Sequence, residues 1–145
     1  MKNYKNLLLF ATALLFGVFV SSCNKYEEGP KVTLLSAKNR ISQDWELTNF
    51  NKNGENQNLE GYSQFFSFSK GGSYTQTVTV QSVWGPVTEI ENGSWSFSSD
   101  KKNITLTKEG VSSSNTYRFL ELRKSQFKVK YTEDGDEYTR TFVSK

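Results

Sequence analysis

The side chains able to do chemistry in this chain are few, and their absence decides as much as their presence. There is no histidine and a single cysteine, Cys23. Without an imidazole, Ser-His and Cys-His nucleophile pairs and histidine-built metal sites are excluded. A lone cysteine has no partner within the chain, which excludes a disulfide framework. Glu89 and Glu91 fall in one phase of an extended stretch, about 7 Å apart along a strand, a spacing open to paired-carboxylate chemistry. Nothing else in the sequence supports that reaction. Glu133-Asp134-Gly135-Asp136-Glu137 is acidic but lacks the ligand spacing and closing glutamate of a calcium loop, and reads as a solvated hairpin turn. The expectation is a protein that is not an enzyme and that needs neither metal nor cofactor. One residue remains. Tyr138, Arg140 and Phe142 share a phase, so if the rings point inward the guanidinium does too, and a buried guanidinium must find a partner. That partner is either a ligand's carboxylate or Glu121, which is in phase with Tyr117 and Phe119.

The elements that position these residues begin with a leader. Lys2 and Lys5 precede an apolar run from Leu7 to Val20, interrupted only by Thr12 and Gly17. At about 1.5 Å per residue, roughly 14 residues fall short of a ~30 Å hydrocarbon core, so residues 1–22 read as a cleaved signal peptide and not as a membrane span. Val20-Ser21-Ser22-Cys23 resembles the lipobox of bacterial lipoproteins. The resemblance implies that the Cys23 thiol carries diacylglycerol, that the bond before it is cut, and that the new amine is acylated with a chain such as palmitate. Together these meet the need for more than one chain in a stable anchor. Asn24 does not resemble the aspartate that marks inner-membrane retention, and Lys25, Glu27 and Glu28 resemble surface-export signals of Bacteroidetes lipoproteins. The implied location is the outer membrane, with the membrane itself as a partner.

Of 18 basic residues, Lys2 and Lys5 leave with the leader, so 16 remain against 15 acidic ones and the net charge falls to +1. No basic block stands out, so the electrostatic footprint of a nucleic-acid binder is missing. Residues 23–41 read as a lipidated tether, with Gly29-Pro30 favouring an extended, unpacked path over helix, except that Val32, Leu34 and Leu35 either pack against the domain edge or form a short extra strand. Residues 42–145 suffice for one domain with one core, expected to be a monomer.

That domain reads as strands and turns. Alternation marks strands at Asp44 to Thr48, Ser63 to Ser69, Tyr74 to Val83, Val87 to Ser98, Ile104 to Thr107, Thr116 to Arg123, Gln126 to Thr132 and Glu137 to Val143. In the third, Tyr74, Gln76, Val78 and Val80 occupy the face expected to be buried. Lys70-Gly71-Gly72-Ser73 and Glu133-Asp134-Gly135-Asp136 are hairpin turns, and Asn92-Gly93 marks a kink. Connections are too short for parallel crossovers, and eight antiparallel strands with one apolar face bury their edges by closing into an up-and-down barrel. Between residues 42 and 145 there are 16 aromatic residues against 14 Val, Leu and Ile and no Ala, so rings must do most of the filling.

Trp45, Phe66 through Tyr74, Gly93-Ser94-Trp95-Ser96-Phe97, Asp100 through Thr107, and Leu120-Glu121-Leu122 with Phe127 resemble the lipocalin-like domain of Bacteroidetes lipoproteins. The likeness covers nearly all of the chain after the leader, and departs from the lipocalin signature at Gln43, where that pattern has Gly. It implies an eight-stranded calycin-type barrel and small-ligand binding. It also implies a structural seam in which Arg140 of the last strand stacks on Trp45 of the first. Two functions follow. The barrel holds a small apolar or amphipathic ligand, with Tyr74, Val78, Trp95, Phe97, Phe127, Tyr131 and Arg140 as candidate contacts. Alternatively it is a solid scaffold whose surface binds a protein or glycan partner, with Tyr62 and Trp84 as the loop aromatics that would touch it.

Overall fold

The computed structural model describes residues 26–28 and 34–145, so the leader and Cys23 lie outside the described residues. A short helix α1 (Ala37–Ile41) leads into nine strands: β1 (Asp44–Lys52), β2 (Glu55–Asn56), β3 (Tyr62–Phe68), β4 (Ser73–Ser82), β5 (Gly85–Phe97), β6 (Asn103–Lys108), β7 (Ser114–Leu122), β8 (Gln126–Glu133) and β9 (Asp136–Ser144). Each strand from β3 onward pairs antiparallel with the next, β1 pairs with β3, and β9 returns to β1 along the register Trp45↔Ser144 to Lys52↔Tyr138. Eight of the strands thereby form a closed antiparallel barrel, as the alternation predicts. β2 is a two-residue addition folded back on the end of β1, where the sequence reads only as a turn-rich loop.

Closure gives the barrel two ends. The base holds α1 and the β3–β4, β5–β6 and β7–β8 turns, and the mouth holds the β4–β5, β6–β7 and β8–β9 turns. Rings fill the lower half. Trp45 is fully buried, edge-on to Phe127 at 4.8 Å, which stacks on Phe142 at 4.6 Å. Phe68 lies edge-on to Trp95 at 5.9 Å. Trp95 also donates its indole N–H to Ser69 O at 3.0 Å, so its one polar atom is satisfied inside the wall. A void of about 20 Å³ remains among Phe66, Ile104, Phe127 and Phe142, room for one water-sized sphere.

Before residue 42 the described residues, which do not include Val32, divide: Leu34 is fully exposed, on an unpacked path and neither against the domain edge nor in a strand, whereas Tyr26 and α1 are packed on the barrel. Ser36 caps α1 by accepting the Asn39 N–H at 3.2 Å. One turn later Ile41 enters the barrel base, fully buried, and its carbonyl accepts the Trp45 indole N–H at 2.8 Å. The Arg40 guanidinium turns inward as well, donates to Leu122 O, and lies 5.6 Å from the Tyr26 ring. Gln43, at the position where the lipocalin pattern has glycine, donates to Arg40 O and Lys124 O and ties the helix to the β7–β8 turn. Tyr26 is buried edge-on to Phe119 at 5.8 Å, the Glu28 N–H donates to Leu120 O at 2.7 Å, and Glu27 and Glu28 pair with Arg118 and Lys128. Apolar burial at Tyr26 and Ile41 outweighs the local preference for extended chain.

The upper half differs. β4 and β5 continue to the hairpin at Ser82 and Gly85, but β6 stops at Lys108, opposite Gly93. Above that level β5 has no strand partner beyond β4 among the described residues, Val80 is 46% exposed, and the predicted burial of the whole β4 face holds only near Tyr74. Pro86, which cannot donate to a ladder, sits on this free edge of β5.

Candidate binding site at the barrel mouth

Arg140 sits where the packed half ends. It lies on β9 opposite Val129 of β8 and Phe50 of β1, in the inward phase, between Tyr138 and Phe142. Its guanidinium is 5.0 Å from the Phe50 ring and 5.2 Å from the Tyr131 ring, and donates to Gln64 Oε1 at 3.1 Å. Gln64 is fully buried, and its Nε2 and the Arg140 Nε have no hydrogen-bond partner. Among the described residues no carboxylate pairs with Arg140. Both structural partners read from the sequence are therefore replaced. Glu121 is turned toward Arg123 and Gln126 by the irregularity between Phe119 and Glu121. The seam with Trp45 does not form, because Trp45 pairs with Ser144, four residues or about 13 Å below Arg140 along the strand, beyond the ~6 Å reach of a cation–π contact. At the base, the Trp45 indole bonds instead to Ile41 O of α1.

Above Arg140 opens a cup of about 330 Å³ lined by Asn115, Tyr117, Tyr131, Thr132, Glu133 and Arg140. Tyr131 is edge-on to Tyr117 and stacked on Tyr138, each at 5.1 Å. Burial pushes the Tyr131 phenol up to about 12 against the opposing pull of Arg140, and burial likewise raises Tyr117. At neutral pH both are therefore protonated donors beside a fixed cation. The arrangement can hold an anion's oxygens against the guanidinium while the rings cover an adjoining apolar portion.

A second groove, about 410 Å³, runs beside Gly93 and is lined by Tyr74, Asn92, Thr107, Lys108 and Glu109. Here Tyr74 Oη donates to Glu91 at 2.6 Å, while Lys108 reaches Glu91 at 3.2 Å and Glu89 at 3.9 Å. Burial, then the Glu91 carboxylate, holds the Tyr74 phenol well above the usual range. Register places Glu89 and Glu91 in the inward phase of the ribbon, opposite Val78 and Gln76, and both acids share one lysine.

Of the other candidate contacts, Trp95 and Phe127 are buried in the packed half, and Phe97 is partly buried against Trp95 at 5.3 Å. Val78 stands in the upper wall opposite Gln64. Tyr131 and Arg140 are the two that come together at the mouth. Tyr62 is half-buried with its hydroxyl 3.5 Å from Gln64 Oε1, whereas Trp84 is 95% exposed. Phe50, Gln64 and Tyr117 complete the site unannounced. Gln64 carried a usable signal, being in phase with Phe66 and Phe68. No protein-family model and no curated protein matches the sequence. The lipocalin likeness therefore rests on the closed eight-stranded barrel.

Proposed function

We propose that the chain is a lipoprotein of the cell envelope, anchored through Cys23 in the outer membrane, whose barrel mouth binds a small amphipathic anion. The observation that carries this reading is the Arg140 cluster. A guanidinium held between two rings, with an unpartnered Nε and an unpartnered Gln64 amide beside it, opens into a cup of ligand size. The filled lower half limits how much of a ligand can enter, so the acid group sits at the guanidinium and the remainder lies among Tyr117, Tyr131 and Tyr138.

The test is calorimetric titration with a panel of amphipathic carboxylic acids, alongside thermal unfolding, for the wild type and Arg140→Gln. Binding that Arg140→Gln abolishes at unchanged stability supports the site. Loss of stability with no ligand found refutes it and makes Arg140 structural. One observation favours the second reading, a scaffold for a protein or glycan partner: Val83 and Trp84 at the β4–β5 tip are 94% and 95% exposed.

A further inference from the structure

The net charge of +1 after the leader conceals a separation between the two ends. The base exposes Lys38, Lys70, Lys101, Lys102, Lys124 and Lys145, and none of the six pairs with a carboxylate among the described residues. Arg123 is there too, bound to Glu121; the exposed acids at this end are Asp44 and Asp100, together with Glu27 and Glu28, which pair with Arg118 and Lys128. The mouth carries the opposite sign. Its loops expose Glu55, Glu60, Glu109, Glu133 and Asp134, while its lysines pair locally, Lys52 with Asp136 at 2.6 Å and Lys108 with Glu91 at 3.2 Å.

The chain enters at the basic end. Tyr26 is buried against Phe119 and under Arg40, beside α1. Only Cys23, Asn24 and Lys25 precede it after the leader, and three residue steps span at most about 11 Å. The ten residues of β4 run about 33 Å along the strand, which at a barrel tilt of about 40° carries the hairpin tip about 25 Å above the base. An anchor at Cys23 therefore brings the base, and not the mouth, within roughly a Debye length of the lipid headgroups.

We infer that the base of the barrel is a docking face for an anionic phospholipid surface, which holds the barrel upright with its mouth and the Trp84 hairpin turned away from the membrane. The occupant follows from chemistry: six unpaired ammonium groups on five separate segments match a diffuse sheet of phosphates better than a single small anion. Each lysine near an anionic leaflet raises association about fivefold. The inference rests on the lipid anchor proposed above and is independent of the Arg140 site.

The experiment uses the mature acylated chain in vesicles of phosphatidylcholine alone or mixed with phosphatidylglycerol, probed by amine-reactive labelling and mass spectrometry. The acyl anchor holds the protein on both vesicles, so differences report orientation. On anionic vesicles Lys38, Lys70, Lys101, Lys102 and Lys124 label several-fold more slowly than on neutral ones, Lys52 and Lys108 label equally on both, and about 1 M salt, with its ~3 Å Debye length, removes the difference. In a Lys70→Gln, Lys102→Gln, Lys124→Gln chain, protection of Lys38 and Lys101 is lost. Equal labelling of the base on both vesicles, or slowing at Lys52 and Lys108 instead, overturns the inference. A Cys23 without acyl mass overturns the anchor itself, and is read in the same spectra.

Discussion

Replacing Gly93 with alanine tests the packing where the barrel divides. Gly93 lies in β5 between Tyr74 of β4 and Lys108 of β6. A Cβ there would sit 2.2 Å from Thr107 O and 2.6 and 2.9 Å from two carbons of the Tyr74 ring. The oxygen belongs to backbone paired on both sides, with Ser94 and Ser114, and the ring is held by its 2.6 Å bond to Glu91, so neither neighbour can rotate away. Relief requires β5 and β6 to part by about 1 Å. That puts the Glu109 N–H to Asn92 O bond and the adjoining Gly93–Lys108 pairing at risk. Overpacking of about 1–3 kcal/mol plus two backbone hydrogen bonds at about 1 kcal/mol each gives a loss of ~3–5 kcal/mol. Gly135→Ala is the control. Gly135 has φ +85 with nothing within 4 Å of its Cβ, so only the left-handed backbone matters, at about 1–2 kcal/mol. Urea titrations of both variants decide between them. If Gly93→Ala loses no more than Gly135→Ala, the close approach of β5 to β6 is not real and the division of the barrel at this level fails with it.

Two further outcomes follow. Trp95→Ala removes a buried ring touching Phe68 and Phe97 and should destabilise by ~3–5 kcal/mol, while Trp84→Ala, at 95% exposure, should stay within about 0.5 kcal/mol in the same titration; reversed values would invert the inside and outside of β5. Cys23→Ser should abolish fatty-acyl labelling in cells and release the domain from the membrane fraction, and a serine variant that still carries the label would refute the lipid anchor.

The barrel was legible because alternation is a local property that survives in each strand separately. Short turns and the run of inward rings at Trp45, Phe66, Phe68 and Phe127 then leave closure as the way to bury them. α1 was not legible, since five residues are too few for a 3.6-residue period to declare itself, and the Gly29-Pro30 pair ahead of it argues locally for extended chain. The exposure of Val80 was hidden for a different reason: burial depends on where neighbouring strands end, and β6 stops at Lys108 without any mark in β4. Arg140 shows both sides of this. Its inward phase could be read from Tyr138 and Phe142, but its partner depends on the β1–β9 register and on the turn given to Glu121 after Phe119, neither of which alternation reveals.

The same register explains why the two ends of the barrel differ in kind. α1 places Arg40 and Ile41 at the base, where the Trp45 indole bonds to helix backbone and the Arg40 guanidinium to Leu122 O, so the closing end needs no cation from β9. Arg140 is thereby left four residues higher, facing rings and an amide instead of a carboxylate. Among the described residues no carboxylate pairs with it, and burying it further under rings would remove its remaining hydration without replacing it. The open cup and the short β6 are consistent with that cost. A Gln64→Leu side chain would extend apolar contact, yet it would remove the acceptor that Arg140 has among the described residues. Gln64 therefore belongs to the binding end of the molecule, although it is as deeply buried as the core.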